Sequence, residues 1–459
     1  MTPQERSRRR EERRKARAGA GARAAGQRSL ASYVHPSTLR WVGQSMSHRL
    51  RRRLSGGLHW FRARPAVSAV AEPQADPQAE PPRPRKTLIL HVGMGKTGTT
   101  AIQNALWDNR EVLAAAGITY PTVGAVANAH HLVAPRCPPF LAHAGWRFLD
   151  VSEWAPLLTE AATDRIVMSS ELIAWAEPDQ VAAFCAALSE LFDVKACLYL
   201  RRQDNTIMAS YNQMIKAGTQ IHAIDKVVER QLDRFDYLAK IWPWEQALGA
   251  ENLIVLPYER GQFHKGDLID DFLLKVLGIE RPEGFAVGDD RNPNPRLSRG
   301  AMEYKRCINN LLREVVSSNR FNPVIARYSE GTDAGSGAIF HEHDLLSPEQ
   351  RAFVMRVFEP GNAYIARKFM GREDGALFLD LDIPKGKRKK PEPDLGAEFR
   401  AISEVIAREE PELFAELRAA VEAATAAPAN PNAQKAAADL LASFGAKAPA
   451  KQAASPPAA

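Results

Sequence analysis

Residues 93–100, GMGKTGTT, place three glycines, a lysine and three threonines within eight positions. Glycine allows backbone conformations that other residues avoid, lysine carries a positive charge, and threonine offers a hydroxyl group. The apolar run TLILHV precedes the segment and the helix-forming sequence AIQNALWDN follows it. A loop at a helix N-terminus favours an anion, because unpaired N–H groups and the helix dipole point at it. The residues therefore predicted to bind a phosphate-like group are Gly93, Gly95, Lys96, Thr97, Gly98, Thr99 and Thr100.

A second anion site is predicted where the run CLYLRR ends in two arginines, Arg201 and Arg202. Arginine binds phosphate through paired N–H groups. A nucleoside triphosphatase loop would need a further glycine at the position of Leu90 and an acidic residue at a strand end to hold magnesium. Glu171, after the run IVMSS, offers an acid in such a position. A magnesium-dependent P-loop kinase and a non-catalytic nucleotide-binding module remain the alternative classes.

Residues 86 to about 383 resemble the PAPS-dependent sulfotransferases, and most of all a bacterial branch similar to carbohydrate sulfotransferases. The 5′-phosphosulfate loop of that family is matched by residues 93–100. Its 3′-phosphate motif pairs a strand-end arginine with a serine eight residues later, which fits Arg202 and Ser210. A third contact of the cytosolic branch, an Arg-Lys-Gly loop, has no clean copy here. Its candidate substitutes are Arg291, Arg296 and Arg299.

The resemblance implies an enzyme that moves a sulfuryl group from PAPS to a hydroxyl or amine acceptor by in-line attack and releases 3′,5′-ADP. Lys96 would stabilise the negative charge that develops on the bridging oxygen, and no metal is expected. The implied acceptor is a glycan, a glycolipid or a small alcohol. A general base must take the proton of the acceptor.

Two positions are candidates for this base. Glu171 follows its strand where the cytosolic branch of the family carries its catalytic histidine. The rival is His131, or its neighbour His130, in the loop sequence NAHHLV, because some carbohydrate branches take their base from that region and histidine titrates near neutral pH. We favour Glu171 over the histidines. His91 lies inside the first strand and is expected to be packed.

Four apolar runs of strand length alternate with helical sequence: TLILHV, DRIVMSSE, VKACLYLRR and ENLIVLPYE. This alternation predicts an α/β fold in which helices flank a parallel, P-loop-like sheet, with ligands at the C-terminal ends of the strands. Residues 99–116 predict a helix that Gly117 closes.

Composition divides the chain into three parts. Residues 1–85 predict a basic, mostly disordered tail, with a possible amphipathic helix at 39–54. Residues 86–383 form the predicted sulfotransferase domain. Residues 384–459 predict a charged linker, a helical segment and an Ala/Pro-rich tail, of which the last thirty or so residues are expected to be disordered.

The charge is unevenly distributed along the chain. Residues 1–70 hold 17 basic and 3 acidic residues, whereas the remainder holds 44 basic and 51 acidic ones. The core is therefore mildly acidic, which argues against nucleic-acid binding, while the tail could contact anionic membranes. The four cysteines have no paired spacing, and no run suits a membrane span or a secretory signal, so a cytoplasmic, possibly membrane-peripheral location is expected.

Overall fold

A computed structural model describes residues 85–138, 141, 145–288, 297–336, 345–381, 394–426 and 430–444. The chain divides into two compact units, and the described residues other than 229–233 belong to the larger one. The basic tail, the possible helix at 39–54 and the charged linker after residue 384 were predicted for residues outside the described ranges.

Five parallel strands form one sheet in the spatial order β2-β3-β1-β4-β5. The strands are β1 (Thr87–Val92), β2 (Ile118–Thr119), β3 (Arg165–Ser170), β4 (Asp193–Leu200) and β5 (Leu253–Pro257). Four of them confirm the predicted strands, and β2 has two residues and was not predicted. The predicted α/β class with a helix-flanked parallel sheet is confirmed.

Both faces of the sheet are buried, which explains why its strands read as nearly continuous apolar runs. On β1, Leu88 and Leu90 pack into one core cluster, and Ile89 packs into another on the opposite face. Side chains that alternate across a strand produce this division.

The described helices are α1 (Thr99–Asp108), α2 (Arg110–Ala115), α3 (Val151–Thr159), α4 (Pro178–Ser189), α5 (Gln203–Lys216), α6 (Ile224–Arg230), α7 (Tyr237–Leu248), α8 (Leu268–Lys275), α9 (Arg299–Leu311), α10 (Val315–Asn319), α11 (Asn322–Ser336), α12 (Pro348–Met370), α13 (Leu395–Glu409), α14 (Pro411–Ala426) and α15 (Pro431–Leu441). Helices α3, α4, α7 and α12 cover the Leu88 face of the sheet. Helices α1, α2 and α8 cover the Ile89 face. Among the helices that the structure describes, none combines the length and the hydrophobicity needed to cross a bilayer.

The predicted helix at 99–116 is two helices that meet at Asn109. The Asn109 side chain donates to the carbonyl of Ala105 and exchanges hydrogen bonds with the backbone of Ala286, all at 2.7 Å. A side-chain amide that competes for backbone partners in this way interrupts a helix. Gly117 then ends α2 with φ 79°, a conformation that glycine adopts without strain.

The C-terminal extension is helical as predicted, but the expected disorder of its last thirty residues is wrong for residues 431–441. These residues form α15, whose N-terminus is capped by the side chain of Asn430. Ala433, Ala436, Ala437 and Leu440 recur at helical spacing and are buried, because α15 packs against α9 and α14. The alanine-rich composition therefore reflects close helix packing.

Candidate active site

Gly93 follows β1 and lies against the residue that follows β3. Its N–H donates to the carbonyl of Ser170 at 3.3 Å. A Cβ at this position would lie 2.7 Å from Thr99 Cγ2 and 3.0 Å from Glu171 Cα. Since the second contact is with backbone, a larger residue at position 93 would push the ends of β1 and β3 apart.

The loop after Gly93 is held in an unusual conformation. Lys96 and Gly98 both have left-handed backbone angles, with φ 71° and 73°. A lysine in this region costs about 1 kcal/mol or more, and such strain clusters at functional sites. The Thr97 hydroxyl donates to the carbonyl of Met94, and Arg201 Nη1 donates to the carbonyl of Lys96 at 3.3 Å. The Thr97 side chain therefore closes the loop.

The start of α1 is suited to an anion. Gly98 is its N-cap and provides no side chain to satisfy the first N–H groups of the helix. Thr99 Oγ1 is buried and has no hydrogen-bond partner among the described residues. Thr100 is exposed, and Lys96 is half-buried beside them. Unsatisfied donors next to a lysine fit a phosphate or a sulfate group.

Arg201 and Arg202 have different environments at the end of β4. Arg202 is buried, and it donates from Nε and Nη2 to the Asp204 carboxylate at 3.2 and 3.0 Å and from Nη1 to the Asp380 carbonyl. Arg351 of α12 donates to the same carboxylate at 2.8 Å. Arg201 instead reaches the carbonyl of Lys96, with its guanidinium 5.9 Å from the centre of the Tyr258 ring. The structure thus brings Arg201 to the loop at residues 93–100.

The predicted partner of Arg202, Ser210, is half-buried on α5. It lies seven residues after the first residue of that helix, which corresponds to about 10 Å along the axis. A phosphate on Arg202 would have to share this arginine with Asp204. Binding of a 3′-phosphate by Arg202 and Ser210 stays a prediction. Of the candidate third contacts, Arg299 begins α9, and Arg291 and Arg296 lie outside the described residues.

The two rival bases lie side by side. Glu171 follows β3 directly, and its Oε2 accepts a hydrogen bond from Gln103 Nε2 at 3.0 Å. Its Oε1 lies 3.9 Å from His131 Nε2. The Trp146 ring lies nearly parallel to the His131 ring, with the ring centres 5.8 Å apart. The backbone of Glu171 also lies against Gly93, the first residue of the loop at residues 93–100.

Hydrogen-bond accounting places the proton of His131. The buried hydroxyl of Ser170 accepts from the N–H of Leu172 at 3.2 Å and contacts His131 Nδ1 at 2.9 Å. Its own hydrogen has no acceptor among the described residues other than Nδ1, so Nδ1 accepts and Nε2 carries the proton. Burial lowers the pKa of His131, against the opposing effect of the Glu171 charge, and favours the neutral ring. His131 therefore presents an N–H donor toward Glu171.

His130 and His91 are structural. His130 Nδ1 accepts from the N–H of Ser169 at 3.1 Å, and its Nε2 donates to the carbonyl of Pro121 at 2.7 Å. His91 is fully buried with Nδ1 2.8 Å from Ser169 Oγ, as expected for a packed residue. Burial lowers the pKa of each imidazole to about 4.

Sequence reasoning missed three polar residues at this site: Gln103, Ser169 and Ser170. Gln103 lies one helical turn after Thr99, so it projects from the same side of α1. Nothing in its local sequence indicates that it contacts Glu171, which is 68 positions away. Within the described part of the chain, no group of three or more His, Cys, Asp or Glu side chains is arranged to hold a metal ion.

No protein-family model matches the chain. The chain is 28% identical over 190 residues to an uncharacterized protein of Archaeoglobus fulgidus, and the match covers 41% of this chain and 49% of that protein. The chain thus spans about half the length of the curated relative that it matches. Among solved structures, it is similar to a sulfotransferase from Alicyclobacillus acidocaldarius, with 12% identity, a TM-score of 0.33, and coverage of 63% of this chain and 96% of that one. A structural similarity with so low a TM-score does not indicate what this chain does.

The two structural histidines predict a pH-dependent stability. His91 and His130 bind a proton near pH 6.5 when unfolded but near pH 4 when folded, so acidification between these values favours the unfolded chain. Each should lower the free energy of unfolding by about 1.4 kcal/mol per pH unit in that range. Denaturant unfolding from pH 7 to pH 4 measures this slope. The slope should decrease in His91→Gln, and an unchanged slope would contradict the assignment.

Proposed function

We propose that the chain is a sulfotransferase that moves a sulfuryl group from PAPS to an acceptor hydroxyl or amine and releases 3′,5′-ADP. The observation that carries this proposal is the position of Glu171, whose backbone lies against Gly93 at the start of the loop at residues 93–100. A donor anion on the loop and a base beside it are the two elements that in-line transfer to a protonated nucleophile requires. The resemblance of residues 93–100 to the 5′-phosphosulfate loop of the sulfotransferases supports the same assignment.

In the proposed reaction, the acceptor oxygen forms a bond to sulfur and its proton passes to Glu171. The bond between sulfur and the bridging oxygen breaks, and its electron pair remains on the 5′-phosphate of 3′,5′-ADP. Lys96 and the N-terminal amides of α1 stabilise the charge that develops on that oxygen. A preorganised donor of this kind contributes about 3 kcal/mol to lowering the barrier.

We assign different roles to the two groups that compete as the base. His131 carries its proton on Nε2, so it can donate to the acceptor oxygen but has no lone pair there to take a proton. Glu171 Oε1 accepts. An oxygen atom can lie about 2.8 Å from both atoms, which are 3.9 Å apart, and thus make a hydrogen bond with each.

The acceptor is proposed to be a glycan, a glycolipid or a small alcohol. The half-buried Trp146 ring beside His131 supports a ring-shaped acceptor, because aromatic walls with a few polar groups are typical of small-molecule sites. Peripheral contact of residues 39–54 with anionic membranes also remains a proposal.

The function is tested by the requirements for nucleotide binding and transfer. The protein should bind 3′,5′-ADP without magnesium, and Lys96→Ala should reduce sulfuryl transfer from labelled PAPS about a hundredfold or more, because it removes charge stabilisation from the leaving oxygen. Circular dichroism should be unchanged. Lys195→Ala, at an exposed position of β4, is the matched control and should retain activity.

Two results would contradict this function. ATP binding that depends on magnesium, with no response to 3′,5′-ADP, would favour a kinase. Tight binding of 3′,5′-ADP with no transfer to any acceptor in a panel of glycans, glycolipids and alcohols would favour a nucleotide-binding module.

The two strand-end arginines are distinguished by their variants. We expect Arg201→Ala to weaken binding of 3′,5′-ADP about tenfold or more, because the loss of a charge-assisted contact costs about 1.5–3 kcal/mol. Arg202→Ala should mainly lower thermal stability, since it leaves Asp204 and Arg351 in a disrupted buried cluster. Calorimetry and thermal unfolding measure both effects. Another outcome would assign the 3′-phosphate to Arg202, as its motif predicts. In that case only Arg202→Ala weakens the binding of 3′,5′-ADP, and it weakens the binding of 5′-AMP far less.

The assignment of the base predicts two different pH profiles. Glu171→Gln should lower kcat/KM about a hundredfold or more and abolish its acidic limb, because the group that must ionise is gone. His131→Ala should lower kcat/KM but keep the acidic limb. The affinity for 3′,5′-ADP should be the same in both variants. If His131→Ala is the variant that loses the limb, histidine is the base.

A further inference from the structure

We propose that Gln103 is a positioning residue that orients the Glu171 carboxylate for proton transfer and ties it to the helix that binds the donor. This inference rests on the proposed function, in which Glu171 is the base. Gln103 is 3% exposed and lies on α1, which begins at the phosphate-binding loop. Its side chain connects α1 to the end of β3.

Both hydrogens of the Gln103 amide are used. Nε2 donates to Glu171 Oε2 at 3.0 Å and to Ser169 Oγ at 3.2 Å. The amide orientation follows from its partners, because an ionised carboxylate only accepts hydrogen bonds and must therefore face the amide nitrogen. Ser169 Oγ also makes a hydrogen bond with His91 Nδ1 at 2.8 Å. A buried histidine and a buried serine thus fix the amide that holds Glu171.

This hydrogen bond distinguishes the two oxygens of Glu171. Oε2 is held by Gln103, whereas Oε1 faces His131 Nε2 at 3.9 Å. The side chain of Glu171 is 37% exposed, so few packing contacts would otherwise restrict its rotation. Gln103 therefore presents Oε1 to the acceptor, next to the donor that His131 provides.

The position of Gln103 on α1 has a second consequence. Thr99 lies one turn earlier on the same helix, at the end that binds the donor anion. The donor and the base are thereby both linked to one rigid helix, which limits variation in the distance between the sulfur atom and Glu171. A misplacement of about 1 Å in such an arrangement can cost a hundredfold in rate.

Removing the hydrogen bond should alter both rate and pH dependence. A bond donated to the ionised carboxylate stabilises its charged form, so its loss makes protonation of Glu171 easier. Gln103→Met, which has a similar volume, should lower kcat about tenfold to a hundredfold with little change in the KM for the acceptor. The acidic limb of kcat/KM should move to higher pH. Gln103→Glu should move it further, because it places a second carboxylate against the first.

The matched control is Asn104→Ala, at the adjacent, exposed position of α1, which should leave the rate and the limb unchanged. If Gln103→Met does not fold, Ser169→Ala tests the same contact by removing the other acceptor of the amide, and a smaller shift in the same direction is expected. A loss of rate that follows the loss of folded protein, with the acidic limb unmoved, would overturn the proposal.

A spectroscopic readout separates this proposal from the proposed function. The carboxyl carbon of Glu171, labelled with ¹³C and identified by comparison with Glu171→Gln, is titrated by NMR in the wild type and in Gln103→Met. A higher titration midpoint in Gln103→Met supports the contact between Gln103 and Glu171, even if the wild type transfers no sulfuryl group. The absence of transfer would contradict only the proposed function. An unchanged midpoint overturns the role of Gln103, whatever the activity.

Discussion

The contact between the ends of β1 and β3 determines the arrangement of the site. Parallel register places Val92 opposite Ser170, and the next residue of each strand then lies so close that a Cβ on Gly93 would be 3.0 Å from Glu171 Cα. The backbone that leaves β1 forms the loop at residues 93–100, and the backbone that leaves β3 carries Glu171. One steric constraint therefore sets the loop that contains Lys96 and the residue Glu171 next to each other.

Two consecutive buried serines then determine where the protons are. Ser169 and Ser170 point to opposite faces of the sheet, and each satisfies its hydroxyl with a histidine, His91 and His131 respectively. Because an unpaired buried hydroxyl is costly, these hydrogen bonds hold each imidazole in place at the end of the sheet. Burial also lowers the pKa of both imidazoles. In this arrangement His131 Nε2 faces Glu171 Oε1 at 3.9 Å, so the two residues that compete for one role in the sequence are neighbours in the fold.

The arginines at the end of β4 show how burial separates adjacent residues. Arg202 and Arg351 share the single carboxylate of Asp204 in a buried cluster, which ties α5 to α12. Breaking such a cluster is costly, because it leaves a charge without a partner in a poorly solvated place. Arg201 is one residue earlier and donates to the carbonyl of Lys96 in the loop at residues 93–100. Burial in the cluster with Asp204 therefore distinguishes Arg202 from its neighbour Arg201.

Much of the fold was predictable from local pattern. Apolar runs of strand length, separated by helical sequence, were sufficient for four of five strands and for the α/β class, because a parallel sheet buried on both faces requires such runs. The two residues of β2 and the alanine-rich α15 were not predicted, since both depend on the surfaces they pack against.

The loop at residues 93–100 could likewise be recognised, because glycine positions and a helix start are local properties. The hydrogen-bond and ion-pair partners of the side chains could not be predicted in this way. Whether Arg201 or Arg202 faces the loop depends on Asp204 and on Arg351, about 150 residues later. The contact between Gln103 and Glu171 joins two elements that only the register of β1 and β3 brings together.

The sequence by itself determined which groups are present and at which edge of the sheet they lie. Tertiary structure alone decided which of them pair, because hydrogen-bond directions and burial are set by residues distant in the chain.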